Sequence, residues 1–178
     1  MELELKRGGR TARVETLGGE LVSYRDERGL EYIWGGDPAY WPGRNPLLFP
    51  IVGMLKEGKI RFDGREYAME RHGFARRREF TPAARGEDWV RLELRESAET
   101  LALYPYPFRL AVEQRLTDTG FSTAVTVANP GEGPLPFCLG AHTGFRCPLE
   151  AGERFEDYEL VFPERESCPT LLLRDGLL

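Results

Sequence analysis

The sequence predicts an all-β fold, an antiparallel β-sandwich, on three observations. Apolar and polar residues alternate over short runs, turn residues recur between those runs, and no stretch carries a convincing helical stripe. Strands at short spacing, linked by Gly, Pro and Asp turns with no helices between them, favour a sandwich over a parallel α/β sheet, although the pattern alone does not give the topology.

Taken in order, the first strand is read at Glu2 to Leu5 and the next at Glu20 to Tyr24, both alternating with the period of a half-buried strand. Lys59 to Ala68 places Asp63-Gly64 between two alternating runs. Asp-Gly readily takes the positive φ angles of a tight turn, so this segment is predicted as a hairpin. Trp89 to Leu94 alternates again. Leu110 to Leu116 and Phe121 to Val127 then flank Thr117-Asp-Thr-Gly120 as a second hairpin, closed by Pro130 and Gly131.

Length and composition narrow the class. A chain of 178 residues suits one domain, large enough to bury roughly 70% of its unfolded surface. Hydrophobic residues make up 41% and charged residues 30%, with 20 Gly and 13 Pro dispersed among them, which reads as globular and turn-rich. The net charge of −5 argues against a nucleic-acid binder. Within that acidic background, Arg71, Arg76, Arg77 and Arg78 form a local basic cluster suited to a small anionic ligand. Cys138, Cys147 and Cys168 are an odd set in a chain that needs no staples, so free thiols are expected rather than a secreted disulfide framework. The start, Met1-Glu-Leu-Glu-Leu-Lys6, has no cationic segment followed by an apolar core. No later run approaches about 18 apolar residues. The expectation is a soluble, cytoplasmic protein without membrane or nucleic-acid partners.

Three stretches differ from ordinary connecting loop. Tyr40 to Gly53 sets Arg44 and Asn45 beside two aromatic rings on a Pro/Gly-constrained segment. Aromatic faces pack on the C–H side of a pyranose while Arg and Asn donate to its hydroxyls, so this is a candidate sugar-binding surface; by itself it also reads as a proline-stiffened loop. Arg71-His-Gly-Phe-Ala-Arg-Arg-Arg78 holds one of the two histidines, beside a glycine that permits close backbone approach. Pro136 to Pro148 holds the other in an apolar, glycine-flanked setting that looks poorly suited to solvent. A titratable group there suits acid or base work, and a buried histidine satisfied by backbone groups is the plainer alternative. Cys138, His142 and Cys147, with Cys168 more distant, are potential metal ligands, but no tight Cys-x-x-Cys pair supports such a site, and none is expected.

Read together, Gly43 to Gly53, Arg71-His-Gly-Phe-Ala-Arg76, Tyr104-Pro-Tyr-Pro-Phe108 and Pro136 to Phe145 resemble the aldose 1-epimerase (galactose mutarotase-like) family in order and spacing. The His-Gly-Phe-Ala-Arg and Gly-x-His-x-x-Phe runs are the specific signals, and they resemble the branch of hexose-6-phosphate mutarotase-like proteins. The resemblance implies a β-supersandwich that binds a hexose or hexose phosphate and needs no cofactor. It also implies a mechanism in which a histidine protonates the ring oxygen while a glutamate removes the anomeric proton. On this reading His142 is the general acid, His72 hydrogen-bonds the sugar near C1, Arg44 and Asn45 contact it, and Arg76 meets a phosphate.

Two departures stand out. Met54 follows Gly53 where many family members place an arginine. Full-length members also continue beyond the position of Leu178 and carry their base glutamate there. The resemblance therefore implies a partial domain spanning 1–178, with low activity on its own and exposed strand edges prone to self-association. Glu153, Glu156, Asp157, Glu159, Glu164 and Glu166 follow His142 without resembling the base motif. A catalytically silent carbohydrate-binding protein is the alternative.

Overall fold

The computed structural model describes residues 1–165, 167–169 and 172–174, so Glu166 and residues 170–171 and 175–178 lie outside it. Among the described residues the first sheet is a meander of β1 (Glu2–Arg7), β2 (Arg10–Glu15) and β3 (Glu20–Arg25), paired in that order and antiparallel. Alternation decides its faces: Leu3, Leu5, Ala12, Val14 and Leu21 point inward and are buried. β2 is not evident from sequence, because Ala12 is a weak apolar marker between Arg10 and Arg13.

A two-residue strand β4 (Leu47–Leu48) follows, then the hairpin β5 (Lys59–Phe62) and β6 (Arg65–Ala68). Its turn forms as expected, with φ of 46° at Asp63 and 79° at Gly64. The second sheet contains β7 (Thr81–Arg85), β8 (Trp89–Arg95), β9 (Arg109–Leu116) and β10 (Phe121–Ala128), in the order β10-β9-β8-β7. The predicted strands β8, β9 and β10 are all present. A six-residue helix α1 (Ala98–Leu103) was not expected. Ser97 and Thr100 cap it reciprocally: the Thr100 N–H donates to the Ser97 hydroxyl at 3.2 Å and the Ser97 N–H to the Thr100 hydroxyl at 2.8 Å. That Ser-x-x-Thr spacing was its only sequence signal. Last comes β11 (Gly140–Ala141), which pairs with β4.

The two larger sheets share one core, in which Val90, Leu92, Leu110, Val112 and Leu116 face the apolar side of β1 to β3. Burial of each such side chain contributes about 1.5–3 kcal/mol. Gln114 brings a polar group into this core. It is 1% exposed, yet its amide donates to the Gly19 carbonyl at 2.9 Å and accepts from the Thr123 hydroxyl at 2.6 Å, so burial leaves it satisfied. At one end Phe49, Phe62, Phe74, Tyr104 and Phe108 form an aromatic cluster with ring centroids 5.2–6.4 Å apart where they touch. This cluster supports the segments that carry both histidines.

Candidate active site

The segment from Arg44 to Gly53 runs between the two histidine-bearing stretches and holds each by backbone bonds. On one side β4 pairs with β11, and beyond that ladder the Pro46 carbonyl accepts from the His142 N–H at 3.2 Å and the Pro50 carbonyl from the Cys138 N–H at 2.9 Å. Pro46 and Pro50 have no N–H to offer, so they serve the ladder through their carbonyls alone and limit it to two residues. On the other side the Phe49 carbonyl accepts from the N–H groups of Phe74 and Ala75 at 3.0 and 3.2 Å, and the Gly53 carbonyl from His72 at 2.8 Å. Tyr104 fixes the approach to β11 from below. Its hydroxyl donates to the Pro136 carbonyl at 2.8 Å, and burial pushes its phenol well above the ordinary range, so it stays a donor.

His72 adopts φ of 66° beside Gly73 at 69°, a left-handed pair that turns the chain tightly against Phe49. Its Nδ1 accepts from the Gly53 N–H at 3.0 Å, which places the ring proton on Nε2. Burial lowers its pKa, and Arg76, Arg71 and His142 lower it further. All three are cationic when charged, and no carboxylate stands among them. His72 is therefore biased to the neutral form with a free Nε2–H donor.

The folded pKa of His72 thus lies below its unfolded value. As pH falls through the ordinary histidine range, about 6.5, the unfolded chain takes up a proton that the folded chain refuses, and stability is lost. His72→Asn, which tolerates positive φ, is expected to remove this component; thermal melts of both proteins across that range check it.

His142 is exposed, as are Phe137 and Leu139. This corrects the expectation that the Pro136 to Pro148 stretch is shielded from solvent. β11 is two residues long and pairs on one side only, so nothing among the described residues covers its outer face. The imidazole instead lies against Trp41, with ring centroids 4.9 Å apart and planes at 33°.

Arg44 and Asn45 are presented by Glu20, whose carboxylate accepts both backbone N–H groups at 2.8 and 2.6 Å. Their side chains then diverge. The Arg44 guanidinium rests over Gly36, where a Cβ would stand 3.0 Å from Nε. Asn45 is buried and accepts from the Thr143 hydroxyl at 2.6 Å; the two line a cavity of about 270 Å³ with Tyr24, Tyr32 and Phe121. Glu20 and Thr143 escaped sequence reasoning, since one reads as an ordinary strand residue and the other as filler beside His142. Glu20→Ala removes two charge-assisted bonds and is expected to destabilise the fold by about 1–3 kcal/mol in urea titrations.

Of the basic cluster, Arg76 is half-buried. Its Nη2 donates to the Arg71 carbonyl at 3.0 Å, while its Nε is buried without a partner among the described residues. Arg71 extends toward Met54, with Nη2 3.8 Å from the sulfur, so a guanidinium reaches the position where the sequence lacks its expected arginine. Arg77 and Arg78 instead pair with Glu70 and Glu99. The later acids point elsewhere: Glu153 accepts from the Tyr158 hydroxyl and the Glu150 N–H, Asp157 accepts from the Arg154 N–H, and Glu156, Glu159 and Glu164 are exposed. Cys138, Cys147 and Cys168 are free and exposed, and no cluster of metal-ligating side chains occurs among the described residues. No described helix is long and apolar enough to cross a membrane.

Antiparallel sheets with very little helix, carrying two histidines on either side of one extended segment, define a galactose mutarotase-like sandwich. The galactose mutarotase related enzyme of Lactobacillus acidophilus superposes with a TM-score of 0.85 at 28% identity, over 88% of this chain and 53% of that one. A galactose mutarotase-like protein of Lactobacillus casei gives 0.80 at 33% identity, over 85% and 52%. The aldose 1-epimerase family model matches residues 1–174, and the chain belongs to that family. The plasmid form of protein LacX from Lactococcus lactis subsp. lactis is 41% identical over 186 residues, covering 100% of this chain and 62% of LacX. The chain thus spans less than two thirds of the curated relative and about half of the solved structures.

Proposed function

We propose that this chain carries the acid side of a mutarotase site and interconverts the α and β anomers of a hexose or hexose phosphate. His142 gives a proton to the ring oxygen as the bond from C1 to that oxygen breaks, a base takes the anomeric hydroxyl proton, and C1 becomes the carbonyl carbon of the open chain. Rotation about C1–C2 and the reverse transfers reclose the ring on the other face. His72 donates from Nε2 near C1, where charge develops. Arg44 and Asn45 contact hydroxyls, and the Arg76 guanidinium meets the phosphate of a hexose phosphate. This chemistry needs no metal or organic cofactor, and free exposed thiols accord with work in the cytoplasm.

The observation that carries this reading is the mounting of the chain's only two histidines on a single segment, with His72 held toward its neutral form. A second reading, a silent carbohydrate-binding protein, is supported by the lack, among the described residues, of a carboxylate acting on His72. Polarimetry of freshly dissolved α-glucose, α-galactose and glucose 6-phosphate, with the spontaneous rate subtracted, separates the two. Acceleration supports the epimerase; binding without acceleration supports the silent protein.

The outer edge of β10 has no strand partner among the described residues, and the strand Phe121–Ala128 carries no charge. Such an edge favours pairing with a second copy. Size-exclusion chromatography with light scattering is expected to show self-association that Thr126→Lys reduces.

A further inference from the structure

We propose that Trp41 is a positioning residue for His142, an inference that rests on the reading of His142 as the general acid. An exposed imidazole one residue past a two-residue strand has little around it to select one ring orientation. The indole supplies that selection, since the two rings lie 4.9 Å apart at 33°. A contact of this kind favours one orientation by about 2–10-fold over an unstacked ring.

The slot that holds the indole is built from three sides. Trp41 is first fixed through its backbone: its N–H donates to the Asp37 carbonyl at 2.8 Å, and its carbonyl accepts from the Trp34 indole N–H at 2.8 Å. Tyr40 packs edge-on against Trp34, with centroids 6.5 Å apart. Two glycines then make room for the ring. A Cβ at Gly43 would stand 2.7 Å from Cζ2 of the indole, and one at Gly144 would stand 2.8 Å from Cζ3, so a side chain at either position would displace the ring. Gly144 is itself locked, donating to the Arg44 carbonyl at 2.7 Å and accepting from the Trp34 N–H at 2.9 Å. It lies two residues after His142, so the same short segment shapes the slot and supplies the ring stacked in it.

This arrangement changes what the aromatic residues of Tyr40 to Gly53 do. The sequence suggests both rings as a surface for the sugar. In the structure His142 covers part of the indole, and Tyr40 supports Trp34. Trp41 then acts on the sugar through the acid.

The test uses the 178-residue chain and needs no turnover for its decisive readout. Proton–carbon NMR of the imidazole signals is assigned by comparison with His72→Asn, since the chain has two histidines. Trp41→Leu is expected to remove the indole ring-current shift from the His142 signals and leave those of His72 in place; Trp41→Phe is expected to keep part of the shift. In mutarotation, Trp41→Leu is expected to lower kcat about tenfold with KM little changed, and Trp41→Phe to recover most of that loss. His142 signals unmoved by Trp41→Leu would overturn the proposal. So would a raised KM at unchanged kcat, which would mark Trp41 as a sugar platform. If His142→Ala left the catalysed rate untouched while the ring-current shift was present, the acid reading would fail and the stacking would remain a structural contact only.

Discussion

Gly73→Ala is expected to destabilise the protein by more than about 4 kcal/mol, the range reserved for a few severe mechanisms. Two of them meet at this residue. Its φ of 69° lies in the left-handed region, where an L side chain costs about 1–2 kcal/mol. The added methyl would also overlap the Phe49 carbonyl oxygen and stand 2.5 Å from its carbon and 2.7 Å from Cδ of Pro50. That carbonyl accepts from Phe74 and Ala75, so moving it breaks two buried bonds of about 1 kcal/mol each and disturbs the packing of Phe49 on Phe74 and Phe108. Gly64→Ala is the control. Its φ is 79°, but a Cβ there meets nothing within 4 Å, so only the conformational cost of about 1–2 kcal/mol applies. Chemical denaturation of the two variants should separate them by several kcal/mol.

His142→Ala is expected to reduce the catalysed component of mutarotation by about 10²–10⁴-fold, the usual contribution of one acid–base group. The same change should alter stability by no more than about 1.5 kcal/mol, because the imidazole is exposed and loses only its stack on Trp41. Among the described residues its ring contact is with Trp41, and its backbone bond to Pro46 survives the substitution. Polarimetry and a thermal melt on the same sample check both halves. A large loss of rate at little-changed stability is what a chemical role requires, whereas a parallel loss of both would mark His142 as a structural residue.

The parts of the fold legible in the sequence are those fixed by neighbours. Asp63-Gly64 sets its own turn geometry, and the alternation of Trp89 to Leu94 and Leu110 to Leu116 reports its inward face without outside help. β4 and β11 were not legible, because two residues have no periodicity and these strands exist only through each other. The helix at Ala98–Leu103 is too short for an apolar stripe, leaving Ser97 and Thr100 as its signal.

The site divides in the same way. His72, His142, Arg44, Asn45 and Arg76 stand out by residue type within unusual stretches. The side chains that organise them do not: Glu20 holds Arg44 and Asn45 from a distant strand, and Thr143 anchors Asn45 across the β4–β11 ladder. Trp41 was noticed as part of a sugar surface, and its stacking on His142 was not legible because it is a contact between segments far apart in the chain. The exposure of His142 also could not be read locally, because the apolar composition around it describes the segment and not what covers it.

The central claim, that one hexose site spans both histidines, is tested most directly by titrating glucose, galactose and glucose 6-phosphate into the 178-residue chain and following the two imidazole NMR signals. The account predicts that at least one of these sugars moves both sets of signals along a single saturating curve, and that Arg76→Ala weakens the response to glucose 6-phosphate more than to glucose. Signals that stay in place with all three sugars, or two histidines that respond with different midpoints, would contradict it.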